Sequence, residues 1–127
     1  MARKKAPAKS SVPVLVGLQR IILYVRDTER SARWYTETLG IPVRFKDHGW
    51  VELETGGVTL CLHGGRKRPA VEDQPSIGFK VKDFDAAYKA LQLREVPGLG
   101  EPFSPCEGVR CLSFRDPDGN ELGIEGA

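Results

Sequence analysis

Residues 20–40 read RIILYVRDTERSARWYTETLG, and residues 76–91 read SIGFKVKDFDAAYKAL. Each opens on an apolar, β-branched run, passes through an aspartate, and continues with apolar residues at helical spacing. In the first, Leu18 to Val25 predicts a strand. Asp27 is the N-cap of a helix to about Leu39, because its carboxylate can accept the free N–H groups of the first turn. The helix stripe is Ser31, Trp34, Tyr35 and Leu39, and Gly40 supplies a left-handed stop. In the second, Asp83 is the cap and Phe84, Ala87, Tyr88 and Leu91 form the stripe. Setting Asp27 over Asp83 superposes Ile21 on Ile77, Leu23 on Phe79 and Val25 on Val81, an offset of 56 residues. The chain carries two copies of one strand–helix unit, too few for a solenoid and suited to a pair of modules sharing a core.

After each helix come extended runs. Ile41 to Lys46, Trp50 to Glu54 and Val58 to His63 predict an antiparallel meander, broken by Asp47-His48-Gly49 and Thr55-Gly56-Gly57. The second half continues with a Pro-broken edge segment near Leu93 to Pro102, then Val109 to Phe114 and Leu122 to Glu125. Between the last two, Asp116-Pro117-Asp118-Gly119-Asn120 predicts a tight turn. The fold class is α+β, with two βαβββ modules at about residues 14–63 and 76–127. Residues 64–75 read as a linker, and the basic residues 1–13 as a flexible arm.

Composition bounds the function. The chain has 127 residues, 40% of them apolar and 28% charged, enough for one ordinary globular domain. Its longest apolar run, Ile21 to Val25, is far shorter than the roughly 20 residues of a spanning helix. Cys61, Cys106 and Cys111 are odd in number without zinc-ribbon spacing, as in free thiols of the cytoplasm. The net charge of +2 hides an asymmetry: Arg3, Lys4, Lys5 and Lys9 sit in the arm, leaving 15 basic against 17 acidic side chains afterwards. Four arm charges without interleaved aromatics do not make nucleic acid the leading partner.

Period-2 reading sends the apolar strand residues, Leu23, Val51, Leu60, Leu112 and Leu122 among them, to a face under the helices. The other face collects Arg20, Tyr24, Trp50, Glu52, Cys61, His63, Ser76, Cys111 and Ser113, with Glu54, Thr59, Lys80, Arg115, Glu121 and Glu125. A sheet with one wet face gives the same alternation. Trp50 argues for more, since a large ring on a polar face calls for a partner surface or ligand. His63, at a strand end, is the better-placed histidine, while His48 falls in a turn. Cys61 and Cys111 read as cavity lining, a nucleophile or a redox pair.

Leu23-Tyr24-Val25 followed by Asp27, Arg30-Ser31, Trp34-Tyr35, Leu39-Gly40, the Asp83-led helix and the Asp116–Asn120 turn together carry a resemblance. Over about residues 18–126 the chain resembles the vicinal oxygen chelate superfamily, which includes glyoxalase I, bleomycin-resistance proteins, fosfomycin-resistance thiol transferases and ring-cleaving dioxygenases. The resemblance implies curved mixed sheets around a cavity, helices on the outer face, and a second subunit that completes the cavity. It also implies a divalent metal held from the first and last strands of each module. Those four positions fall on Arg20, Cys61, Ser76 and Gly123, a set in which only the thiol is a metal donor. The expectation is therefore a homodimeric, small-molecule-binding protein without metal or cofactor, in which Arg20 can pair with an anionic group of the ligand. The alternative is a metal-dependent lyase, isomerase or dioxygenase with non-standard ligands, or with acid–base work by Glu52, Glu121 or His63. An interaction module that docks another protein is a third reading.

Overall fold

A computed structural model of the chain describes residues 18–65 and 74–127. The arm at 1–13 and most of the linker at 64–75 lie outside the described residues. In the first module, β1 (Arg20–Tyr24) leads into α1 (Thr28–Leu39), then β2 (Val43–Asp47), β3 (Trp50–Leu53) and β4 (Thr59–His63). The second repeats the order with β5 (Ile77–Lys80), α2 (Phe84–Leu93), β6 (Phe103–Cys106), β7 (Val109–Arg115) and β8 (Glu121–Gly126). Each module forms a four-stranded mixed sheet, ordered β1-β4-β3-β2 and β5-β8-β7-β6. The first strand lies parallel to the last and the other pairs are antiparallel.

The caps act as read. The Asp27 carboxylate accepts from the Arg30 N–H at 3.1 Å, and the Asp83 carboxylate accepts from the Ala86 N–H at 3.0 Å. Gly40 takes φ +76°, and the next N–H, that of Ile41, turns back to the Tyr35 carbonyl at 3.1 Å. That bond holds Ile41 in the helix stop, so β2 starts at Val43 rather than Ile41. The second edge strand also departs from the sequence reading. Pro97 and Gly100 make two isolated bonds to β7, at Arg115 and Ser113, each 2.8 Å. An edge strand forms only at Phe103–Cys106, beyond the expected Leu93–Pro102, and its register with β7 shifts between Phe103 and Cys106.

One core unites the modules: Leu23, Tyr35, Val51, Leu53 and Leu62 of the first are fully buried and belong to the same cluster as Phe84, Leu112, Phe114 and Leu122 of the second. Helix α1 packs on β3 and β4, and α2 on β8. The Asp116–Asn120 turn fastens the modules. Asp116, itself buried, accepts from the N–H groups of Asp118 and Asn120 at 2.9 and 2.8 Å, and from the Tyr35 hydroxyl of α1 at 2.9 Å. Asp118 accepts from the Arg26 N–H at 3.0 Å, and the Asn120 amide donates to the Tyr24 carbonyl at 3.3 Å. The sequence predicts a turn here; its residues also serve as a clamp. Arg94 adds a second tie by donating to the Thr38 carbonyl at 2.7 Å, supplying the last turn of α1 with the cation it lacks.

Candidate functional site

Strand register decides which side chains meet. In β1, Arg20 lies beside Thr59, Ile22 beside Cys61 and Tyr24 beside His63. In β3, Glu52 faces Cys61 and Trp50 faces His63. Six of the nine candidates, Arg20, Tyr24, Trp50, Glu52, Cys61 and His63, therefore share the face of the first sheet turned away from the helices. Ser76, Cys111 and Ser113 sit on the corresponding face of the second sheet. With Gly123, Glu121 and Phe103 they line a cavity of about 280 Å³ that none of the first six reaches. A single chain does not bring the two groups together.

On the first sheet the rings form a row. The Trp50 and His63 ring centroids are 5.4 Å apart, nearly edge to face, and Tyr24 lies 5.8 Å beyond His63. The Arg20 guanidinium sits 5.8 Å from the Trp50 ring centroid. The partner that the indole calls for is thus met in part from within the chain, and its N–H donates to Glu52 at 3.0 Å. His63 Nδ1 is 2.9 Å from the Gly64 carbonyl oxygen. In the neutral ring that oxygen places the proton on Nδ1 and leaves Nε2 as an acceptor. His48 is exposed in its turn, and both histidines border an open cavity at the start of α1.

Glu52 is the electrostatic centre of this face. Besides the indole, it accepts from Arg44 at 3.1 Å and lies 3.8 Å from the Arg20 guanidinium. The hydrogen bonds from Trp50 and Arg44 hold its carboxyl below the ordinary carboxylate range. A carboxylate so held is a poor general base. Arg20, in turn, already has an anion. Arg44 also donates to the Thr59 hydroxyl at 2.6 Å, yet alternation does not reveal it, because a bulge between Val43 and Phe45 shifts β2 out of the period-2 pattern.

The thiols diverge. Cys111 is half-buried on the second sheet, whereas Cys61 is fully buried. Burial pushes the Cys61 thiol up, outweighing the nearby Arg20. Of the roles open to Cys61, this environment suits inert lining and opposes a thiolate nucleophile.

Among the described residues no three His, Cys, Asp or Glu side chains are grouped so as to hold a metal ion. At Gly123 even a Cβ would lie 2.8 Å from the Leu112 carbonyl oxygen, so β7 backbone occupies the space a ligating side chain would need.

A model of the Glyoxalase/Bleomycin resistance protein/Dioxygenase superfamily matches residues 17–124. The chain belongs to this superfamily. An uncharacterized protein of Bacillus subtilis (strain 168), YraH, is 28% identical, the match covering 84% of this chain and 95% of the relative. Among solved structures, the antibiotic binding protein TnmS3 from Streptomyces sp. CB03234 is 25% identical with a TM-score of 0.74, over 89% of this chain and 97% of that one. A lactoylglutathione lyase from Agrobacterium tumefaciens has a TM-score of 0.72 at 19% identity, over 89% and 95% of the two chains. That last likeness concerns the fold alone. No helix among the described residues is long and apolar enough to cross a membrane.

Proposed function

We propose that this superfamily member binds a small, ring-bearing molecule without a metal or cofactor, in a cavity that a second copy of the chain completes. The observation that carries the reading is the state of Arg20. At the position where the resemblance puts the first metal ligand stands a permanent cation, stacked on Trp50 and paired with Glu52. A divalent ion there would meet like charge, one buried thiol, the Ser76 hydroxyl and a glycine, a donor set that does not fit. Rings, a guanidinium and the free side of His63 do fit a flat polar ligand, held by stacking and a few hydrogen bonds.

The separation of the two candidate groups supports the homodimer. The cup expected of this fold needs a facing sheet, and the second module of a partner copy can offer Ser76, Cys111 and Ser113. The likeness to an antibiotic binding protein supports binding without turnover. A single domain spanning residues 14–127 and a cytoplasmic setting for the three free cysteines complete the proposal.

The test is a titration of aromatic antibiotics in excess EDTA, followed by Trp fluorescence with Trp34 replaced by Phe so that Trp50 reports. Saturable quenching that survives EDTA and is weakened by Arg20→Ala supports the reading. Binding that appears only on adding Ni, Zn, Mn or Fe, with stoichiometric metal retained, supports the metal-dependent alternative and defeats this one.

A further inference from the structure

A separate cavity lies on the helix side of the sheets, at the seam between the modules, and measures about 260 Å³. Leu39 from the end of α1, Leu91 from α2, and Phe79 and Phe114 from the second sheet give it apolar walls. An apolar cavity on the order of 150 Å³ holds a benzene ring, so this one has room for a ring or a short chain.

Its charge is one-sided. Among the described residues Arg94 is the cation that reaches it, and no carboxylate lines it; Lys80 follows the inward Phe79 on β5, so its side chain turns to the opposite face. Arg94 has no ion-pair partner among the described residues. Arg94 spends one guanidinium nitrogen on the Thr38 carbonyl, which fixes the group at the seam and leaves its other donors available.

We infer that the seam cavity binds a small amphipathic anion, an apolar chain or ring ending in a carboxylate. The apolar part lies against Leu39, Leu91 and Phe114, and the carboxylate meets Arg94. Apolar walls alone would take a neutral hydrocarbon equally well; the unpaired guanidinium selects the acid. This site is independent of the ring-lined face. Because its walls come from both modules, an occupant bridges them and stabilises the folded chain by mass action.

The experiment titrates octanoate, octanol and octylammonium into the full chain, following the methyl NMR signals of Leu39, Leu91 and Ile124. Octanoate is expected to shift these signals saturably, about tenfold more tightly than octanol, with octylammonium weakest. Arg94→Gln should bring octanoate to the affinity of octanol and leave octanol unchanged. Ala90→Trp, which intrudes on the cavity, should weaken both. If that variant does not fold, the methyl map of the unsubstituted chain decides. Three results overturn the inference: equal binding of octanoate and octanol, shifts confined to the Trp50 face, or methyl shifts that depend on protein concentration alone, which would mean that a second copy covers the cavity.

Discussion

Position 123 has space for a hydrogen atom and no more. A Cβ there would press on the Leu112 carbonyl at 2.8 Å, so Gly123→Ala is expected to cost about 1–3 kcal/mol of stability in urea unfolding. Gly123→Glu, which would restore a carboxylate on the last strand, should destabilise at least as much and gain no metal. Glu52 offers a pH test. Its folded pKa is lowered, so its contribution is present above the unfolded value of roughly 4.3 and is lost as pH falls through the folded one. Glu52→Gln should flatten that acid limb of stability against pH, measured by thermal melts between neutral and acid pH. Alternation along the strands placed Arg20, Tyr24, Trp50, Glu52 and His63 on one face from sequence alone. That Glu52 gathers the indole and both arginines was not legible, because pairing between side chains depends on rotamers and on the β2 bulge.

At the scale of elements, local chemistry made the helices readable: Asp27, Asp83 and Gly40 each satisfy or end a backbone run through short-range geometry. The second edge strand forms later than the sequence predicts because Pro97 and Gly98 make a turn, Gly98 at φ +61°, and the segment bonds to β7 only through Pro97 and Gly100. The Asp116 turn was legible as a turn and not as a clamp, since its partners Tyr35, Arg26 and Tyr24 lie more than 80 residues away. Tyr35→Phe leaves the buried Asp116 carboxylate without its hydroxyl donor and should cost about 1.5–3 kcal/mol in equilibrium unfolding. Burial, then the Asp116 charge, raises the Tyr35 hydroxyl well above the ordinary phenol range. Stability tied to the protonated phenol is thus present below the unfolded value of about 10 and is lost as pH climbs through the folded one. The same substitution should remove that alkaline loss, measured by circular dichroism melts at rising pH.

For the whole molecule, duplication and the superfamily scaffold were visible in the sequence because each module repeats the same cap, stripe and alternation. How the modules share a core and where cavities form between them depend on long-range packing that periodicity does not encode. The seam on the helix side and the ring-lined sheet face are products of that packing. The account's central claim is that the face around Arg20 accepts a ligand and rejects a cation. Its most direct test is an anomalous difference map from crystals of the protein equilibrated with Ni(II) or Mn(II). The account predicts no anomalous peak between Arg20, Glu52 and Cys61, on either copy of the chain. A peak there at full occupancy, coordinated by Glu52, Cys61 or a residue of a facing copy, would contradict it.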